Sequence, residues 1–189
     1  MITEQIIELQ KHIGAEPDGF WGPKSISLCK AHLRRMMPYP SPWPEADQAS
    51  LTAFYGKAGD ESRLVNLPVV GLGMEYAGSH VKSVRCHGKV ADSLLRILTA
   101  LYEFPEGREV LKQYAGCFND RLMRGGNLPS LHARGAAIDL APDTNGNVIA
   151  WPVRSTMSIK VMEVFAKEGW VSAGAFWGRD GMHFQATNL

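Results

Sequence analysis

Apolar residues recur every three or four positions at the start of the chain. Ile2, Ile6, Leu9 and Ile13 share one side of an expected helix, with Thr3 as its candidate cap and Gly14 to end it. The turn "EPDGFWGPKS" (16–25) follows, with Asp18-Gly19 as the turn and Pro23 suited to the first position of a helix. Ile26, Cys29, Leu33 and Met36 then make a second stripe. Two such helices bury little surface and are expected to lean on the rest of the chain. "PYPSPWP" (38–44) leaves two readings open: a semi-rigid extended linker, or an ordered loop packed by Tyr39 and Trp43.

From about residue 50 the pattern mixes periods. "LPVVGLGMEYAG" and "HVKSVRC" read as short strands around a "YAGSH" turn. In "GKVADSLLRILTALYEF" (88–104), Val90, Leu94, Ile97, Leu98 and Leu101 share a helix face, and Pro105 and Gly107 are expected to stop it. "AAIDLAP" (136–142) reads as a buried strand, "DTNGN" as a turn and "VIAW" as a short strand. "SIKVMEVFAKEG" (158–169) is a second amphipathic helix closed by Gly169, and "WVSAG" and "MHFQAT" read as late strands. Without a regular βαβ alternation this order predicts an α+β fold, a small antiparallel sheet with flanking helices preceded by a short helical module. The expected division is a helical module over 1–37, a proline-rich connector over 38–49 and a main domain over 50–189.

Composition narrows the class. The chain has 189 residues, 45% of them hydrophobic and 21% charged, so a packed core is expected. A net charge of +1 with no run of one sign gives no reason to expect nucleic acid or a membrane as partner. No apolar run approaches the roughly 20 residues of a membrane span. The first residues lack the pattern of a secretory signal, so the protein is expected to begin in the cytoplasm, as a monomer. Cys29, Cys86 and Cys117 have neither disulfide nor metal spacing and read as buried free thiols.

The chemistry concentrates in two stretches. "SLHARGAAIDLAP" (130–142) sets His132 and Asp139 seven positions apart, with Gly135 between them permitting a bend that brings them together. "GRDGMHFQ" (178–185) adds His183 with Asp180 three positions earlier. Two histidines and an aspartate make a tetrahedral zinc site with one open position, and a nearby carboxylate such as Asp180 can move the proton of the attacking water. The same residue types also serve non-haem iron, although the usual His-x-Asp spacing is absent. Each residue has a plainer reading: a satisfied structural histidine, an aspartate in a turn. Arg121 and Arg124 in "CFNDRLMRGGN" are candidates to stabilise an oxyanion or hold a carboxylate, or else solvated surface arginines. His80 and His87 read as structural.

These motifs carry a resemblance. "SLHARGAAID" fits the Ser-x-His-x-x-Gly-x-Ala-x-Asp pattern of the LAS-type zinc peptidases, which include D-alanyl-D-alanine carboxypeptidases, vancomycin-resistance dipeptidases and phage L-alanyl-D-glutamate endopeptidases. "DGMHF" looks like their closing motif and "GCFNDR" like the segment carrying their arginine. The resemblance covers roughly residues 50–189. It implies that His132, Asp139 and His183 hold zinc, that Asp180 is the catalytic base, and that Arg121, or Arg124, stabilises the oxyanion. Many members carry a glutamate where this chain has Asp180; aspartate occurs in the phage branch. "LQKHIGAEPDGFWGPKSISLCKAHL" (9–33) resembles a helical peptidoglycan-binding repeat, which implies wall contact through Asp18, Gly19, Trp21 and Gly22. The repeat is usually longer. The two together resemble a modular phage endolysin that waits in the host cytoplasm and cuts the L-Ala–D-Glu bond of peptidoglycan. A D-Ala-D-Ala carboxypeptidase or dipeptidase, and a non-catalytic zinc-stabilised wall-binding protein, are the alternatives.

Overall fold

Helix α1 (Thr3–Ile13) buries Ile6, Leu9 and Ile13 as its period requires. The computed structural model describes residues 3–189, so Ile2 of the expected stripe lies outside the described residues. Helix α2 (Pro23–Met36) starts at Pro23 and buries Ser25, Cys29 and Leu33. Ile26, expected on the buried stripe, is 37% exposed. Ser25 takes that place because buried Gln10 needs a partner: its amide donates to Ser25 Oγ, Asp18 Oδ1 and the Phe20 carbonyl. Leu9 and Ile13 of α1 and Cys29 and Leu33 of α2 join one continuous core with the rest of the chain. In the proline-rich segment Trp43 is buried, donates its indole N–H to the Glu168 carbonyl at 2.8 Å and packs edge-to-face on Trp170, while Tyr39 is fully exposed.

Helix α3 (Gln48–Tyr55) is capped by the Asp47 carboxylate, which accepts from the backbone N–H of Ala49 and Ser50. The first β-unit nests one hairpin within another. Strands β1 (Leu64–Pro68) and β4 (Ser83–His87) pair antiparallel, and β2 (Glu75–Tyr76) pairs with β3 (Ser79–His80) at the tip. Helix α4 (Ala91–Tyr102) presents the anticipated face: Val90, Leu94, Ile97, Leu98 and Leu101 are all fully buried. Pro105 does not merely stop it but begins α5 (Pro105–Leu111). Gly107 lies inside that helix, where a Cβ would fall 2.0 Å from the Leu101 carbonyl oxygen, so the close α4–α5 approach requires glycine there.

The main sheet has the order β5 (Tyr114–Gly116), β6 (Ala137–Leu140), β8 (His183–Gln185), β7 (Val171–Ser172), antiparallel throughout. Both central strands are buried on both faces. Ile138 and Phe184, cross-strand partners, are fully buried in the core, and Phe184 stacks on Phe165 of α7 (Ile159–Lys167) with centroids 3.8 Å apart. By the alternation of strands, Asp139 and His183 take the other face. Two expectations fail between these strands. "DTNGN" lies largely in a short helix, α6 (Pro142–Asn145), and "VIAW" contributes only a single bridge, Ala150 to Arg179. The reason is Asn145, whose fully buried side chain accepts from the backbone of Thr156 and Met157 and donates to the Ala141 carbonyl. Helix α8 (Ala173–Trp177) leads into the last turn. Among the described residues the fold is α+β, small antiparallel sheets flanked by helices, and no helix is long and apolar enough to cross a membrane.

Candidate metal centre

His132 sits on a 3-10 turn (Leu131–Arg134) that Ser130 caps by accepting from the His132 N–H. Gly135 closes the turn at φ +63°, and a Cβ there would lie 2.8 Å from the His87 backbone nitrogen. The chain therefore reverses tightly against β4 and delivers Asp139 onto β6 beside the histidine. Asp139 and His183 are direct partners in the β6–β8 ladder.

The three side chains converge. His132 Nε2 lies 3.2 Å from Asp139 Oδ1 and 3.1 Å from His183 Nδ1, and His183 Nδ1 lies 3.0 Å from the same Oδ1. All three residues are buried. The other nitrogen of each ring is committed. His132 Nδ1 is 2.7 Å from the Cys117 carbonyl, which can only accept, so Nδ1 carries the proton and Nε2 keeps its lone pair. His183 Nε2 is 3.1 Å from Gln185 Oε1, and the Gln185 amide donates onward to Thr187 Oγ1 at 2.8 Å. That leaves His183 Nδ1 with its lone pair as well. With the ring protons on those outer nitrogens, two imidazole lone pairs and a carboxylate oxygen point at one place.

This arrangement fits a metal ion. Zinc bonded at about 2.0–2.1 Å in tetrahedral geometry spaces its ligand atoms about 3.3 Å apart, close to the triangle found here. The hydrogen-bonded outer nitrogens are the usual means of fixing metal-bound histidines. In the metal-free protein the same atoms must share protons. Burial would raise the Asp139 carboxyl, but hydrogen bonds from His132 and His183 outweigh it and hold it well below the usual carboxylate range. Burial would lower His183, yet the Asp139 contact, joined by the charge of Asp180, pulls it above its ordinary value.

Asp180 occupies the turn before β8 at φ +59°, a left-handed conformation that aspartate tolerates. It is half-buried, and its Oδ1 is buried with no hydrogen-bond partner among the described residues. Burial pushes its carboxyl above the ordinary value and the charge of Asp139 adds to this, against the opposing pull of His183, Arg124 and His132. Asp180 lines a cleft of about 180 Å³ together with Asp139, His183 and three arginines, Arg121, Arg124 and Arg179. Trp177 is also on its wall and stacks on the His183 ring, centroids 6.1 Å apart and planes 27° apart. Arg121 also lines a second cavity, next to His132 and Asp139.

The structure thus brings together His132, Asp139, His183 and Asp180, and sets Arg121 and Arg124 on the same cleft. Asp18, Gly19, Trp21 and Gly22 do not line it. Asp18 Oδ1 accepts from Gln10 and from the Phe20 N–H, Gly19 donates its N–H to Gln10 Oε1, Trp21 packs edge-to-face on Trp151, and Gly22 precedes α2. His87 is structural: buried, with Nδ1 accepting from the Lys89 N–H and Nε2 facing the Tyr55 carbonyl. His80 is exposed beside Glu75. The cysteines are free and buried, and burial pushes the Cys29 and Cys86 thiols up to about 12. Gln185, Trp177 and Arg179 escaped the sequence reading. For Gln185 a signal existed, since residues two apart on a strand share a face and Gln185 follows His183 by two.

Comparison with known proteins agrees with this geometry. Residues 124–186 match the family model described as D-alanyl-D-alanine carboxypeptidase, a stretch that includes His132, Asp139, Asp180 and His183 but not Arg121. The match spans about a third of the chain and supports a zinc peptidase of the kind that acts on peptidoglycan. No curated protein and no solved structure matches the chain.

Proposed function

We propose that this protein is a zinc-dependent peptidase that hydrolyses the peptide stems of bacterial peptidoglycan, with the L-Ala–D-Glu bond as its target and host-cell lysis of the phage-endolysin type as its role. The observation that carries the reading is the convergence of two lone-pair nitrogens and one carboxylate oxygen within 3.0–3.2 Å, beside a carboxylate with an unpartnered buried oxygen.

His132 Nε2, His183 Nδ1 and Asp139 Oδ1 would be the three atoms that hold the zinc ion. Bound there, zinc supplies a Lewis acid and an acidified water at neutral pH. Asp180 accepts the proton as the water oxygen attacks the scissile carbonyl carbon. Arg121 donates to the oxygen that becomes negative. Asp180 then returns the proton to the leaving nitrogen as the C–N bond breaks, giving a carboxylate and an amine. The raised affinity of Asp180 for a proton suits that exchange. The Asp18–Gly22 turn, in which Phe20 is 71% exposed, is the proposed contact with the wall.

A second reading has its own support. A D-Ala-D-Ala carboxypeptidase needs a basic anchor for the terminal carboxylate, and Arg124 and Arg179 stand on the cleft beside Arg121. The matched family carries that description.

Mass spectrometry of purified peptidoglycan, digested with and without chelator, tests both. New amino termini at D-Glu that vanish with chelator and return with zinc support the endopeptidase. Release of free D-Ala supports the carboxypeptidase. Intact stems throughout, with the protein bound to the wall, leave a non-catalytic binding protein.

A further inference from the structure

A second cluster of metal-ligating side chains lies outside the cleft. Glu163 Oε1 is 2.5 Å from His12 Nε2 and 2.7 Å from His32 Nε2, and the two rings meet edge-to-face with centroids 5.4 Å apart. We propose that His12, His32 and Glu163 form a second site for a divalent ion of the zinc class, and that the ion ties α1 and α2 to α7.

The donor set is a sound one. Two imidazoles and one carboxylate bind zinc in other proteins and leave a fourth position for water. Each ligand comes from a different helix, α1, α2 and α7, so one ion would join three elements. Among the described residues, neither imidazole has any hydrogen-bond partner besides Glu163, and each Nδ1 is free to hold the ring proton while Nε2 turns its lone pair to a metal. Glu163 in turn pairs with no lysine or arginine among the described residues. Its side chain is 13% exposed, so the carboxylate charge is largely withdrawn from water with only two imidazoles to balance it. A divalent ion supplies that charge.

The present spacing is that of hydrogen bonds, and zinc requires the ligand atoms to open to about 3.3 Å. His12 can make the movement, since its side chain is 43% exposed on the last turn of α1. It also lines an open groove of about 760 Å³ between α1 and residues 156–160, which gives an ion its route from solvent. The site joins two distant parts of the chain. Helix α7 also carries Phe165, which stacks on Phe184, the neighbour of His183. The ion would therefore anchor the first two helices to the element that backs the main sheet.

The test is metal content of the 189-residue chain after saturation with zinc and desalting. Two zinc ions per chain are expected. The double variant His12→Ala/His32→Ala and the single variant Glu163→Gln should each hold one. Glu163→Gln is the sharper of the two, because glutamine still accepts the hydrogen bonds of a metal-free clamp but removes the anionic ligand. Loss of a ligand should weaken zinc at this site by at least about 100-fold, more than loss of a ligand's hydrogen-bonded partner costs. Circular dichroism confirms that each variant is folded. His132→Ala should lose a different ion and keep this one, so the result does not depend on the peptidase reading. One zinc in the unmodified chain that Glu163→Gln leaves in place would overturn the proposal, as would two zinc ions that persist in the double variant.

Discussion

Asp139 and His183 face each other across neighbouring antiparallel strands, with Asp139 Oδ1 3.0 Å from His183 Nδ1. The ladder itself fixes this pair. His132 arrives on a capped turn, so the third proposed ligand depends on Ser130 and Gly135 rather than on the sheet. His132→Ala and His183→Ala should therefore both lose the zinc of this centre and all cleavage, with the sheet retained. Zinc content by mass spectrometry and far-ultraviolet circular dichroism check the two halves of that statement.

Gln185 orients His183 without touching the metal position. Gln185→Ala leaves Nε2 unpartnered and frees the ring to turn. Zinc affinity at this centre should fall roughly 10–100-fold, with little change in the fold. Competition with a chromophoric chelator, in a background of Glu163→Gln, isolates the effect.

Asp180→Asn separates chemistry from structure. Asparagine also tolerates the left-handed backbone at this position, so the turn should persist. The variant should keep its zinc and lose cleavage by roughly 10²–10⁴-fold, the usual contribution of a general base. Stability of the metal-free protein should move the other way. Because burial raises the Asp180 carboxyl in the folded state, the folded protein binds that proton more tightly than the unfolded chain does. The ionised group therefore disfavours folding at pH 7; this penalty fades as pH falls through the raised folded value and is gone below the unfolded value of about 3.9. Metal-free Asp180→Asn should melt above the unmodified protein at pH 7, and the difference should close in acid.

Gly135→Ala should be among the most damaging single changes outside the core. It places a side chain at φ +63° and drives a Cβ to 2.8 Å from the His87 backbone nitrogen. A loss of about 2–4 kcal/mol is expected, read from urea unfolding, together with weaker zinc binding because His132 loses its platform.

Much of this was legible in the residues. The faces of α4 and α7 follow from periodicity alone, and the site residues His132, Asp139 and His183 stand in motifs whose order along the chain the fold respects. What escaped depends on contacts distant in sequence. Ser25 rather than Ile26 faces inward because Gln10, fifteen positions earlier, needs a partner. "DTNGN" has the composition of a turn, but the buried Asn145 side chain holds residues 155–157 and the segment winds into α6. Gly107 reads as a helix stop, and only the packing of α4 on α5 shows why it is needed inside a helix. Helix α3 went unseen although Asp47 and Gly56 mark its ends, because its apolar stripe is short. The arginines of the cleft could not be sorted from surface arginines without coordinates. Their shared wall with Asp180 comes from bringing residues 121–124 and 179 together.

In the proposed reaction His132, Asp139 and His183 hold a zinc ion and Asp180 moves the proton as a peptidoglycan stem is hydrolysed. The most direct measurement is stem cleavage during zinc titration of metal-free Glu163→Gln, in which only this centre should fill. No cleavage is expected without metal, with activity rising to a plateau at one zinc per chain and a flat line when Asp180→Asn is added. Cleavage that is complete in the presence of chelator, or a chain that fills with one zinc and never cuts a stem, would contradict it.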